Sequence, residues 1–125
     1  MTQLQKLMDA LVAWSDGQFG TDDRTIGILY HLKKEVDELI DSTKKTKLLL
    51  GDDSTYVDEL TDQIDKTDME FADCFMLLLD AASHSYIDAE QLIGLSYKKM
   101  EINKNRKWGE PDENGVVEHV KTEDK

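Results

Sequence analysis

The sequence predicts an all-α, four-helix bundle-like domain in which two of the helices form an antiparallel hairpin. Apolar residues recur at three- and four-residue spacing in four successive segments, and no segment alternates apolar with polar residues as a half-buried strand does. The single proline, Pro111, falls after the last of these segments. At 125 residues the chain is long enough for one domain to bury a core without disulfides. That domain is expected over residues 1–108, with a loosely held polar tail over 109–125.

The first helix is predicted from Thr2, a good N-cap, to about Trp14, with Leu4, Leu7, Met8, Leu11 and Val12 at helical spacing. Residues 15–23 carry Gly17 and Gly20 without periodicity and predict a loop. A second helix follows from about Thr25 to Leu48, its stripe made by Leu29, Leu32, Val36, Leu39, Ile40 and Thr43. Residues 51–54 (GDDS) are expected to end it and to cap a third helix reaching about Ala82, with a break near Thr67 and Asp68. The stripe of that third helix is Val57, Leu60, Ile64, Phe71, Phe75 and Leu78. A short connection at residues 83–85 leads to a fourth helix, roughly Asp88 to Asn105.

Composition narrows the function classes. With 27 acidic against 15 basic residues, the net charge of −12 repels a polyanion, which disfavours DNA or RNA as a partner. A free nucleotide stays compatible, because a divalent cation bridges carboxylates to phosphate oxygens. No stretch approaches the roughly 20 apolar residues of a membrane span, and the N-terminus reads as an amphipathic helix rather than a leader. Cys74 is alone within an apolar run, so a reduced cytoplasm is the expected compartment.

The chemistry-bearing pattern is acidic. Glu35 and Glu38 are three apart on the second helix, so both carboxylates share one face, away from the apolar stripe. Glu70 and Asp73 repeat the arrangement on the third helix, and an antiparallel hairpin can bring the four together. Residues 71–82 (FADCFMLLLDAA) are apolar almost all round, which predicts burial on every side and makes Asp73 costly without a cation. All candidate ligands are oxygen donors, and His31, His84, His119 and Cys74 are scattered. Hard Mg²⁺, or Mn²⁺, is favoured over zinc. No acidic loop has the glycine and glutamate of an EF-hand.

On the fourth helix Lys99, Asn103 and Arg106 share a face, where cations suit phosphate. A surface face near a helix C-terminus explains them equally well. Trp14 and Phe19 are able to stack on a base, although a large ring more often anchors a core. His31 shares the face of Glu35 and Glu38 and is read as a hydrogen-bonded bystander. Asp80 fits a cap or an interface ion pair.

The ExxE pair at Glu35 and Glu38, the ExxD pair at Glu70 and Asp73 and the later Lys-Asn-Arg-Trp region resemble the MazG-like pyrophosphohydrolases over roughly residues 10–110. Lys34 stands where many members carry another glutamate, and the segment between the two pairs is longer than usual. The resemblance implies hydrolysis of a (deoxy)nucleoside triphosphate to the monophosphate and diphosphate, with Mg²⁺ held by Glu35, Glu38, Glu70 and Asp73. One of these, or a neighbour, would orient the attacking water. It further implies phosphate contacts from Lys99 and Arg106, a sugar or phosphate contact from Asn103, a base contact from Trp14 and a homo-oligomer, dimer or tetramer. The competing readings are a non-enzymatic acidic helical module that binds protein partners, and a phosphohydrolase that releases single phosphates with the same ligands.

Overall fold

In a computed structural model, residues 1–121 are described. Of the expected polar tail, residues 122–125 lie outside the described residues. The chain folds into four helices in order: α1 (Gln3–Phe19), α2 (Thr25–Leu50), α3 (Val57–His84) and α4 (Ala89–Lys104). The described residues contain no strand, only an isolated antiparallel bridge between Trp108 and His119. None of the helices is long and apolar enough to cross a membrane. The chain divides into two compact units, Met1–Ala89 and the segment from Glu90 onward.

Helix α1 starts as the sequence predicts: the Thr2 hydroxyl accepts the Gln5 N–H at 3.1 Å, satisfying one of the orphan donors of the first turn. It does not stop at Trp14. The expected loop over 15–23 is helical as far as Phe19, because a single Gly17 lowers helical propensity without breaking the ladder. The break comes at Gly20, whose φ of 91° is open to glycine and whose N–H closes onto the Asp16 carbonyl at 2.9 Å.

The turn between α2 and α3 also differs from expectation. Residues 51–54 do not cap α3. Asp52 instead folds the turn locally, its Oδ1 accepting both the Ser54 N–H at 2.9 Å and the Ser54 hydroxyl at 2.7 Å. Helix α3 begins after Tyr56 and runs unbroken through Thr67 and Asp68. It continues past Ala82 to His84, so the expected connection at 83–85 is largely helix, and the turn into α4 passes through exposed Tyr86 at φ 63°.

Helices α2 and α3 form the expected antiparallel hairpin, but their shared seam is polar. The Gln63 amide donates to the Ser42 carbonyl at 3.1 Å and to the Ser42 hydroxyl at 3.0 Å. The Ser42 and Thr67 hydroxyls lie 2.6 Å apart, and Thr46 and Thr67 are 2.9 Å apart. Gln63 and Thr67 are buried, while Phe71, Phe75 and Leu78 of the segment expected to be enclosed are 57%, 47% and 46% exposed. Part of each apolar stripe therefore faces outward in the single chain, while Leu32, Leu39 and Leu60 are half-buried. At about 100° per residue, the stripe of α2 (Leu29, Val36, Ile40) and that of α3 (Ile64, Phe71, Phe75, Leu78) fall on the same flank of the hairpin. The apolar core of the first unit lies elsewhere, where Met8 and Leu11 of α1 are buried along with Ile28, Leu79 and Ala81. Within the same unit Gln5 accepts the Ala89 N–H at 2.9 Å.

In the second unit the stretch after α4 folds back on itself. Gly109 N–H donates to the Glu118 carbonyl at 2.9 Å and Val120 N–H to the Lys107 carbonyl at 2.7 Å, while the Trp108 indole N–H reaches the Asn103 carbonyl at 2.9 Å.

Candidate metal centre and its cavities

The register of the hairpin seam places the carboxylates. One turn along α2 from Ser42 stands Glu38, and about one turn along α3 from Thr67 stands Glu70, so the hydroxyl and amide bonds of the seam set the two glutamates against each other. Glu35, Glu38 and Glu70 each offer an oxygen, and these oxygens all lie within 4.8 Å of one another. Glu70 Oε2 is buried with no hydrogen-bond donor. A buried, unpaired carboxylate oxygen beside two further carboxylates is expensive for the fold unless a cation neutralises it, so this donor set fits a hard divalent ion.

Burial raises the carboxyl of Glu35 above the usual glutamate value, helped by hydrogen bonding with Glu38 and by the charges of Glu38 and Glu70. The bond between His31 Nε2 and Glu35 Oε1, at 3.2 Å, acts the other way. His31, read from sequence as a bystander, holds one oxygen of a cluster member. Burial also pushes the Cys74 thiol up, reinforced by Glu35, Glu70, Asp73 and Glu38, so sulfur at this position stays protonated.

Asp73 lies about one turn beyond Glu70, half-buried and outside the three-oxygen cluster. It lines, with Glu35, a cavity of about 660 Å³ whose other walls include Trp14, Phe19, Arg24, Ile28 and Leu77. Trp14 is exposed rather than buried in a core, and it meets Phe19 edge-on with centroids 5.7 Å apart. A largely apolar cavity with aromatic edges and a few convergent polar groups suits a small planar ligand.

One residue of this cavity was not legible in the sequence. Arg24 stands between α1 and α2, its guanidinium 5.4 Å from the Phe19 centroid and its Nη2 donating to the Ser15 hydroxyl at 2.8 Å. Nη2 is also 3.3 Å from Asp16 Oδ1 and 3.1 Å from His84 Nε2. The fully buried Ser15 hydroxyl donates to Asp80 Oδ2 at 2.7 Å. This cluster ties the end of α1, the start of α2 and the end of α3 together, which gives buried Asp80 a structural place. Asp80→Ala strips the acceptor from a buried hydroxyl and is expected to lower stability by about 2 kcal/mol, read as a lower urea midpoint at unchanged m.

Lys99, Asn103 and Arg106 belong to the second unit. Lys99 is exposed on α4, and Arg106 Nη1 lies 3.5 Å from Asn103 Oδ1.

With the geometry in hand, comparison with known proteins decides the family. The family model described as dATP/dGTP pyrophosphohydrolase matches residues 57–125, more than half of the chain. The chain belongs to the dATP/dGTP pyrophosphohydrolase family. The match takes in Glu70 and Asp73 on α3 and all of α4, while Glu35 and Glu38 lie ahead of it. No curated protein and no solved structure matches. The MazG-like resemblance is thus borne out, and membership of a dATP/dGTP pyrophosphohydrolase family supports a nucleotide pyrophosphohydrolase activity with a nucleotide substrate.

Proposed function

We propose that the chain hydrolyses a purine deoxynucleoside triphosphate to the monophosphate and diphosphate, using Mg²⁺, with Mn²⁺ able to replace it. The observation that carries this reading is the convergence of Glu35, Glu38 and Glu70 around an unpaired buried oxygen, beside a cavity with aromatic walls. The choice of purine and deoxyribose follows the dATP and dGTP that the family is named for. Glu35, Glu38 and Glu70 hold the metal, and Asp73 completes the acidic set on the cavity side. When bound, the ion offsets charge on the phosphate oxygens and lowers the pKa of a coordinated water. His31 fixes Oε1 of Glu35, so this carboxylate is held in one orientation toward the attacking water. Trp14 and Phe19 stack on the base. Lys99 and Arg106 bind phosphate, and Asn103 touches sugar or phosphate.

We further propose a homo-oligomer closed on the apolar flank of the hairpin. Leu29, Val36, Ile40, Phe71, Phe75 and Leu78 are all exposed on one flank of the hairpin, and an identical flank on a second copy is self-complementary in the way a two-fold interface requires.

The test is product analysis of the full chain with ribo- and deoxynucleoside triphosphates, with and without Mg²⁺. Monophosphate and diphosphate that disappear with EDTA support the reading. Release of single phosphates moves the chemistry to a phosphohydrolase, and no turnover with any nucleotide sinks it.

A further inference from the structure

We propose that Lys45 and Lys66 seat the diphosphate end of the substrate, so that the triphosphate lies along the hairpin with its base toward α1 and its β- and γ-phosphates at the far side of the carboxylates. This assignment rests on the pyrophosphohydrolase reading above and adds to it a direction and two binding residues.

The carboxylate cluster stands between two cavities of opposite character. On the side of α1 is the largely apolar cavity that Glu35 and Asp73 share with Trp14 and Phe19. On the other side is a groove of about 370 Å³ lined by Glu38, Glu70, Ser42, Gln63, Lys45 and Lys66. Glu38 and Glu70 thus belong both to the metal cluster and to this groove. A nucleotide whose phosphates met a metal held by Glu35, Glu38 and Glu70 would have an apolar end and a polyanionic end to place, and the hairpin offers one cavity suited to each.

Charge decides which end goes where. The leaving diphosphate carries several negative charges, and a groove walled by glutamates repels it unless cations are present. The two ammonium groups supply them from opposite helices, Lys45 from α2 and Lys66 from α3. Among the described residues neither lysine forms an ion pair, although Asp41 shares the groove with them, Glu59 and Asp62 line a neighbouring groove that both lysines also border, and Glu70 stands four residues from Lys66 on the same face. Their donors are therefore uncommitted. Spacing agrees: Lys45 is seven residues beyond Glu38, about 10 Å of helix, and a helical side chain leans toward the N-terminus, back toward Glu38. The groove that both lysines line, about 370 Å³, has volume for two phosphoryl groups.

The experiment uses the full chain with Mg²⁺ and compares wild type with Lys45→Ala, Lys66→Ala, the double alanine variant and the double arginine variant. Calorimetry measures binding of inorganic pyrophosphate and, separately, of dAMP. Steady-state kinetics with dATP accompany it, and circular dichroism checks the fold. Each alanine is expected to weaken pyrophosphate binding about tenfold through loss of a charge-assisted contact, with dAMP affinity unchanged and the arginine pair restoring most of the loss. Pyrophosphate affinity unchanged in the double alanine variant overturns the proposal, as does an equal loss for both ligands. A wild-type chain that turns over dATP but shows no pyrophosphate affinity overturns it too. A wild-type chain that turns over no nucleotide sinks the enzymatic reading itself, a result separate from these.

Discussion

Glu70→Gln is expected to abolish turnover while leaving the helices intact. The substitution keeps the size of the side chain but removes a charge from the one member of the cluster with a buried, undonated oxygen. A metal offsets several kcal/mol of charge in a phosphoryl transition state, so losing its grip costs about a thousandfold or more in kcat. The metal-free variant should melt no lower than wild type, because repulsion among Glu35, Glu38 and Glu70 is relieved. Binding of Mn²⁺ at a hundred times its Kd adds about 2.7 kcal/mol, roughly 10 °C in Tm for a chain of this size, and the variant should lose that rise. The pH dependence has a definite sign. Glu35 has its carboxyl raised, so the folded chain holds that proton more tightly than the unfolded chain does. Metal-free stability therefore falls as pH climbs from the ordinary glutamate value through the raised one. The Mn²⁺-induced rise grows over the same window, since the ion competes with the proton. Wild-type activity retained by Glu70→Gln, or a Mn²⁺ shift indifferent to it, would remove the metal centre from the argument.

The second large effect is expected on assembly. Sedimentation of the wild-type chain should show an oligomer, and the double substitution Phe75→Glu with Leu78→Glu should yield monomers at micromolar concentration. Covering each of these side chains is worth about 1.5–3 kcal/mol, so losing two from an interface weakens association by at least roughly two orders of magnitude. Both residues are about half exposed in the single chain and line the flank opposite the carboxylate groove, so the local helix should survive. A monomeric wild type overturns the oligomer, and with it the explanation for the outward-facing stripe.

Much of this was legible in the sequence. Helical periodicity located all four helices and the hairpin, and the spacing of Glu35 with Glu38 opposite Glu70 anticipated the three carboxylates that gather, whereas Asp73, expected with them, lies outside that cluster. What periodicity could not show was which face meets the partner helix. An apolar stripe is ordinarily assigned to the nearest neighbour, whereas here Ser42, Thr46, Gln63 and Thr67 meet across the hairpin and Phe71, Phe75 and Leu78 are turned away. The extension of α1 through Gly17 was missed because an isolated glycine weakens a helix without ending it, and Asp52 was misread because an aspartate after a helix caps or turns with the same side-chain oxygen. Arg24 carried no signal at all: it lies outside any periodic segment, and only tertiary contact brings it to Ser15 and His84.

The polar seam of the hairpin has a further consequence, for precision. Two greasy helix faces can slide along each other by a fraction of a turn with little change in energy. A seam of hydroxyls and an amide has discrete settings, since each donor either meets its acceptor or is stranded away from water. Ser42, Gln63 and Thr67 therefore act as the teeth of a key, and the spacing they lock between Glu38 and Glu70 is the spacing an ion encounters. The grip of the proposed metal centre would then be written partly in residues that never touch the ion.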